Sequence, residues 1–129
     1  MAANGKQTIL VVEDEEQVRT LLAKLLEKND YDVATAADGL DAMKFLEGDK
    51  PDLMLVDVMM PRLDGFSLVK AVRFKPDCRH IPIIFLTAKT DARSMIEGIN
   101  VGAKFFLTKP FQIGDVLAKI RKALEHAPA

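Results

Sequence analysis

What the chain lacks narrows its chemistry. A single cysteine, Cys78, in 129 residues excludes an internal disulfide and any cysteine-rich metal site. It lies in the polar stretch 75–80, where a surface or half-buried thiol is expected rather than a nucleophile. Neither sign of charge dominates: 18 basic residues stand against 19 acidic ones, for a net charge of -1. That balance gives no field for nucleic acid or an anionic membrane, so direct nucleic-acid binding is not expected. No apolar run approaches the roughly 20 residues that span a bilayer, and residues 1–8 have no apolar core of the signal-peptide kind. The chain is expected to work in the cytoplasm, away from the membrane.

What is present is a repeated pattern. Four short apolar runs, 9–12, 53–56, 81–86 and 105–107, each end on reactive side chains: Glu13-Asp14, Asp57, Thr87 and Lys109. Each run is followed by a helix-like stretch. Val18, Leu21, Leu22, Leu25 and Leu26 recur at helical spacing over 15–29. Residues 31–36 alternate apolar and polar, as in a less buried edge strand. A second helix is expected over 40–46, a third from Phe66, Val69 and Val72, and a fourth from Ala92, Met95, Ile96 and Ile99. Gly102 stops the fourth, and a last helix runs through Ile113, Val116, Leu117, Ile120 and Leu124. Five strands alternating with five helices in one short chain predict a single α/β domain with a parallel sheet, its strands all ending on one edge. The expected division is a disordered segment at 1–7, the domain at 8–126 and a tail at 127–129.

That edge would gather chemistry. Asp57 alone could cap a turn, and Glu13-Asp14 alone could serve the first turn of a helix. Together they place carboxylates on one rim, where repulsion is costly unless a cation is present. All-oxygen ligation suits Mg²⁺, which keeps waters and shares its sphere with phosphate oxygens; no His or Cys ends a strand, which disfavours zinc. Asp57 is then a covalent phosphoacceptor. Lys109 supplies an ammonium suited to a phosphate oxygen. Thr87 supplies a hydroxyl, with the small Ala88 leaving room beside it. Whether Lys109-Pro110 is cis is not legible in the residues.

The segments VVEDE (11–15), LVDVMMPRLDG (55–65), IIFLTA (83–88) and GAKFFLTKPF (102–111), in this order and separation, resemble the receiver domain of bacterial two-component response regulators. The likeness runs over about 8–125. It implies a doubly wound, flavodoxin- and CheY-like fold with strand order 2-1-3-4-5 and helices on both faces. It also implies phosphoryl transfer to Asp57 from a histidine kinase or histidine phosphotransfer protein. By that likeness Asp14, Asp57 and the backbone carbonyl of Met59 ligate Mg²⁺ (Mn²⁺ substituting), and Glu13 acts through a water. Lys109 holds the phosphoryl group, which the backbone of Met59 and Ala88 also contacts. Thr87 and the aromatic Phe106 form the switch, which reshapes the face of the fourth helix, fifth strand and fifth helix where an output protein docks. The chain would be a monomer or a phosphorylation-dependent dimer.

Three departures from the family's commonest pattern stand out. Glu13 replaces a frequent Asp and lengthens the reach to metal; Phe106 replaces a frequent Tyr and has no ring hydroxyl. Met59 and Lys89 are expected to govern access of water to the acyl phosphate. Alternation further predicts that one of Phe105 and Phe106 is partly exposed. The leading reading is a phosphorylation-activated switch with at most intrinsic self-phosphorylation and self-dephosphorylation. An aspartate-nucleophile phosphohydrolase is disfavoured by Met59, which stands where such enzymes carry a further Asp. A degenerate docking module is disfavoured by the complete set Asp14, Asp57, Thr87 and Lys109. No effector segment follows Ala129, which favours a stand-alone regulator over a receiver detached from a DNA-binding regulator or hybrid kinase.

Overall fold

A computed structural model describes residues 5–60, 63–88 and 92–125. The expected disordered start and the tail lie largely outside these residues, as does Lys89. The elements alternate as β1 (Thr8–Val12), α1 (Glu16–Lys28), β2 (Asp32–Ala36), α2 (Gly39–Gly48), β3 (Leu53–Asp57), α3 (Gly65–Phe74), β4 (Ile83–Thr87), α4 (Ala92–Asn100), β5 (Phe105–Thr108) and α5 (Ile113–Glu125). All strand pairs are parallel, in the order β2-β1-β3-β4-β5. β1, β3 and β4 are apolar nearly throughout because both of their faces are covered. β2 lies at one edge and is only part-buried, as its alternation predicts.

The two sheet faces build separate cores. Ile9, Val11, Leu53, Leu55, Ile84 and Leu86 pack beneath Leu22 and Leu26 of α1 and Val116 and Ile120 of α5. Leu10, Val12, Met54, Val56, Ile83 and Phe85 face Ala42 and Leu46 of α2 and Leu68, Val69 and Val72 of α3. Asp38 and Asp64 start α2 and α3 by accepting the backbone N–H of Asp41 and Ser67. Cys78 belongs to the second core and is fully buried, not a surface or half-buried thiol. Its polar flanks hid the inward turn of the short connection between α3 and β4; burial pushes the thiol up from its ordinary value.

α4 breaks the pattern its apolar spacing suggests. Met95, Ile96 and Ile99 are 40%, 58% and 63% exposed, whereas Ser94 and Gly98 turn inward. The helix lays small residues on the body and leaves its apolar stripe in solvent. Phe105 and Phe106 are both half-buried, one to each face of the edge strand β5, so the expectation that only one would be part-exposed is too narrow.

Close backbone approach sets one glycine's identity. A Cβ on Gly65 would lie 2.5 Å from the Asp57 carbonyl oxygen and 2.9 Å from Val58 Cα. Neither backbone atom can step aside cheaply. Gly65→Ala is therefore expected to lose about 2–3 kcal/mol of unfolding free energy in urea melts. Gly48, where an added Cβ would meet nothing within 4 Å, serves as control: Gly48→Ala should be neutral or stabilising by up to about 1 kcal/mol.

Candidate functional site

Strand register assembles the rim. Val12 pairs with Val56, so the residues that follow, Glu13 and Asp57, emerge side by side. Asp57 pairs with Leu86 and Thr87 with Thr108, which brings the hydroxyl and then Lys109 to the same edge. The Lys109 N–H donates to the Thr87 carbonyl at 2.9 Å. The Lys109-Pro110 peptide is cis.

Glu13, Asp14 and Asp57 each offer a carboxylate oxygen within 4.8 Å of the others. Glu13 and Asp57 are buried and Asp14 is exposed, so the cluster opens to solvent on one side. Lys109 Nζ lies 2.6 Å from Glu13 Oε1, 3.4 Å from Asp57 Oδ2 and 3.5 Å from Glu15 Oε1. Its nearest partner is thus Glu13, not Asp57. Glu13 Oε2 accepts the N–H of Glu15, and the Glu13 carbonyl accepts Arg19 Nη1 at 2.9 Å. Met59 is exposed and its N–H donates to Asp57 Oδ1 at 3.3 Å. Thr87 is buried at the end of β4, and Ala88 is exposed beside it.

The electrostatics follow from that crowding. Burial first, then the charge of Glu13, pushes the Asp57 carboxyl from 3.8 up to about 7, against the pull of Lys109. For Lys109 burial disfavours the ammonium, but Glu13 and Asp57 outweigh it and hold the group above the usual lysine range. Of the three clustered acids, Glu13 and Asp57 lie against the Lys109 ammonium, and Glu13 Oε1 is buried without an aligned hydrogen-bond donor. A hard divalent cation fits this donor set: it would be met by oxygens alone and would relieve the repulsion that raises Asp57.

Thr87 and Phe106, the expected switch residues, lie near each other on the sheet. Phe106 pairs with Phe85 in the ladder, and Thr87 stands two residues beyond Phe85 on the same face. The Phe66, Phe85 and Phe106 rings form a row, with centroids 5.0 Å and 5.5 Å apart. A Cβ on Gly98 of α4 would overlap the Phe106 ring tip. The sequence reading missed Arg19, Gly65 and Gly98, which meet Glu13, Asp57 and Phe106 through backbone contact or bare space. Only the glycine in the LDG segment carried a local hint.

A doubly wound parallel sheet with acids and a lysine at its carboxyl edge defines a class of cation- and phosphate-handling α/β domains. The chain belongs, more narrowly, to the response regulator receiver domain family, whose model matches residues 9–121. Such domains are signalling switches of two-component systems. The chain is similar to the alkaline phosphatase synthesis transcriptional regulatory protein PhoP of Bacillus subtilis, 43% identical over 119 residues, covering 92% of this chain and 49% of that protein. It is 40% identical over 116 residues to the response regulator MprA of Mycobacterium ulcerans, covering 90% of this chain and 49% of MprA. The chain thus spans about half the length of these curated relatives. Among solved structures, the Vibrio cholerae chemotaxis protein CheY4 superposes with a TM-score of 0.89 at 34% identity, over 92% of this chain and 99% of that one. The receiver domain of the Pseudomonas aeruginosa sensor histidine kinase PA1611, solved with magnesium in its active-site cleft, gives a TM-score of 0.86 at 30% identity, over 94% and 99% of the two chains. No helix among the described residues is long and apolar enough to cross a membrane.

Two outcomes are expected. Because the folded Asp57 is raised to about 7 from 3.8, its contribution to stability is intact below the unfolded value and is lost as pH rises through the folded one. In metal-free buffer at about pH 8, Asp57→Asn should exceed the parent by on the order of 2 kcal/mol in urea melts, and the gap should close toward about pH 5. Gly98→Ala should drive the Phe106 ring from its seat. Aromatic chemical shifts of Phe85, 5.5 Å away, should move with it; unchanged shifts would count against the seat.

Proposed function

We propose that Asp57 accepts a phosphoryl group from a phosphohistidine of a histidine kinase or histidine phosphotransfer protein, and that the resulting aspartyl phosphate switches an output face. The observation that carries this reading is Asp57 Oδ2 at 3.4 Å from Lys109 Nζ inside a cluster of three acids. Asp57 oxygen bonds to phosphorus as the phosphorus–nitrogen bond breaks, and the imidazole nitrogen takes the electron pair. Asp14, Asp57 and the Met59 carbonyl would hold Mg²⁺ directly and Glu13 through a water; Mn²⁺ is expected to substitute. The cation supplies charge neutralisation for an in-line transfer. Lys109 steadies the phosphoryl oxygens, and the backbone of Met59 and Ala88 lines their position. Thr87 turns toward them, and Phe106 follows into the space left behind.

Two surfaces support the partners. An apolar groove of about 430 Å³ beside the acceptor, lined by Glu15, Val18, Leu21, Lys109, Pro110 and Phe111, suits the approach of a donor protein. The solvent-facing stripe of α4, Met95, Ile96 and Ile99, suits an output partner docking at the expected face of α4, β5 and α5. The length of the curated relatives, one of them a transcriptional regulatory protein, favours a regulator whose DNA-binding part lies outside this domain; the receiver itself binds no nucleic acid. A cytoplasmic monomer, or a dimer formed on phosphorylation, fits this reading. Any hydrolysis is of the protein's own phosphate.

Incubation with acetyl phosphate and Mg²⁺ should add about 80 Da to the intact mass. Asp57→Asn or removal of the cation with EDTA should reduce labelling to background. Equal labelling of Asp57→Asn would place the acceptor elsewhere.

A further inference from the structure

The guanidinium of Arg73, at the end of α3, lies on the opposite side of α4 from the acceptor rim and has no part in the chemistry above. Its Nη1 donates to the carbonyls of Arg79 at 2.7 Å and Ile81 at 2.9 Å, in the connection between α3 and β4. Its Nε donates to Val101 at 3.3 Å and its Nη2 to Gly102 at 3.0 Å, just past α4. Four of the five guanidinium donors thus meet main-chain carbonyls of two separate connections.

The acceptors on the α4 side are the ones a helix leaves over. The end of α4 closes as a Schellman turn: Ala103 N–H bonds to the Gly98 carbonyl, Gly102 N–H to that of Ile99, and Gly102 has a φ of +89°. The carbonyls of Val101 and Gly102 then point away from the helix, and a cation there also suits the negative end of the helix dipole. Gly102 is fitted to this contact twice over, because a Cβ would stand 3.2 Å from Arg73 Nε as well as straining the backbone.

Among the described residues of α4, Ser94 and Gly98 turn inward, both small, while Met95, Ile96 and Ile99 face solvent. Val101, just beyond the helix, is the apolar side chain that buries at this end. The front of α4 follows β4, which ends on Thr87 at the rim.

We propose that Arg73 is a positioning residue that pins the C-terminal end of α4 to the α3–β4 connection, making that end the pivot about which the helix turns. A change at Thr87 then displaces the front of α4 and carries its apolar stripe with it. This rests on the phosphorylation reading above and names how the acceptor reaches the output face.

Amide hydrogen exchange on the whole chain tests it, in parent, Arg73→Met, Arg73→Lys and Gly102→Ala, with and without acetyl phosphate and Mg²⁺. Without phosphate, the amides of Val101, Gly102 and Ala103 in Arg73→Met should exchange at least about tenfold faster than any change seen at Leu10 and Met54, which report global opening. Gly102→Ala should reproduce this, and Arg73→Lys should show it in part. In the parent, phosphorylation should alter protection in the first half of α4 and spare its last turn; in Arg73→Met the change should extend through the last turn. Parent-like rates at 101–103 in Arg73→Met, or equal phosphate-induced change at both ends of α4 in the parent, would overturn the pivot. A parent chain that gains no phosphoryl mass overturns the switch reading and leaves Arg73 a static clamp, an outcome distinct from both.

Discussion

Like charges held together at the carboxyl edge of the sheet are the constraint on which this molecule turns. Separated by sequence and joined by strand register, Glu13, Asp14 and Asp57 come within 4.8 Å of one another. A flexible site would spread them apart until solvent screened the repulsion. Here the strands that carry them are buried on both faces, and burial first, then the neighbouring Glu13 charge, leaves Asp57 resisting ionisation. Lys109 offsets part of it. A hard divalent cation would fit what remains, because it would be met by oxygens alone.

The two faces of the sheet divide the labour. Under α1 and α5, long aliphatic side chains pack without interruption and fix β1 and β3, hence the spacing of the acids. The other face is built around the aromatic row from Phe66 through Phe85 to Phe106 and is completed by a helix with small residues on its inner side. Close packing makes the first face a rigid base. On the second face the apolar stripe of α4, Met95, Ile96 and Ile99, stays in solvent.

Glu13 shows how one methylene can change a role. An acid of this length reaches across to Lys109 at 2.6 Å while its other oxygen accepts the Glu15 N–H and its carbonyl accepts Arg19. The side chain is wholly buried and multiply held. The same carboxylate thus pairs with the lysine and belongs to the acidic cluster that could hold a cation.

The amino-acid sequence by itself determined the alternation of strands and helices, the parallel sheet, the edge position of β2 and which residues gather at the carboxyl rim. Apolar runs that end on Asp57, Thr87 and Lys109 are local patterns, and burial of central strands leaves a continuous trace in composition. Only the tertiary structure decided which partner Lys109 takes, that Cys78 enters the core, and that α4 turns its apolar stripe outward. Those outcomes depend on what another element leaves open. Spacing along α4 marks an apolar face but carries no sign for which side meets the body, and the choice fell to Gly98, whose missing side chain makes room for Phe106. Nor can a pattern of residues announce that one arginine will meet four carbonyls from two distant connections, since backbone acceptors look alike in every sequence.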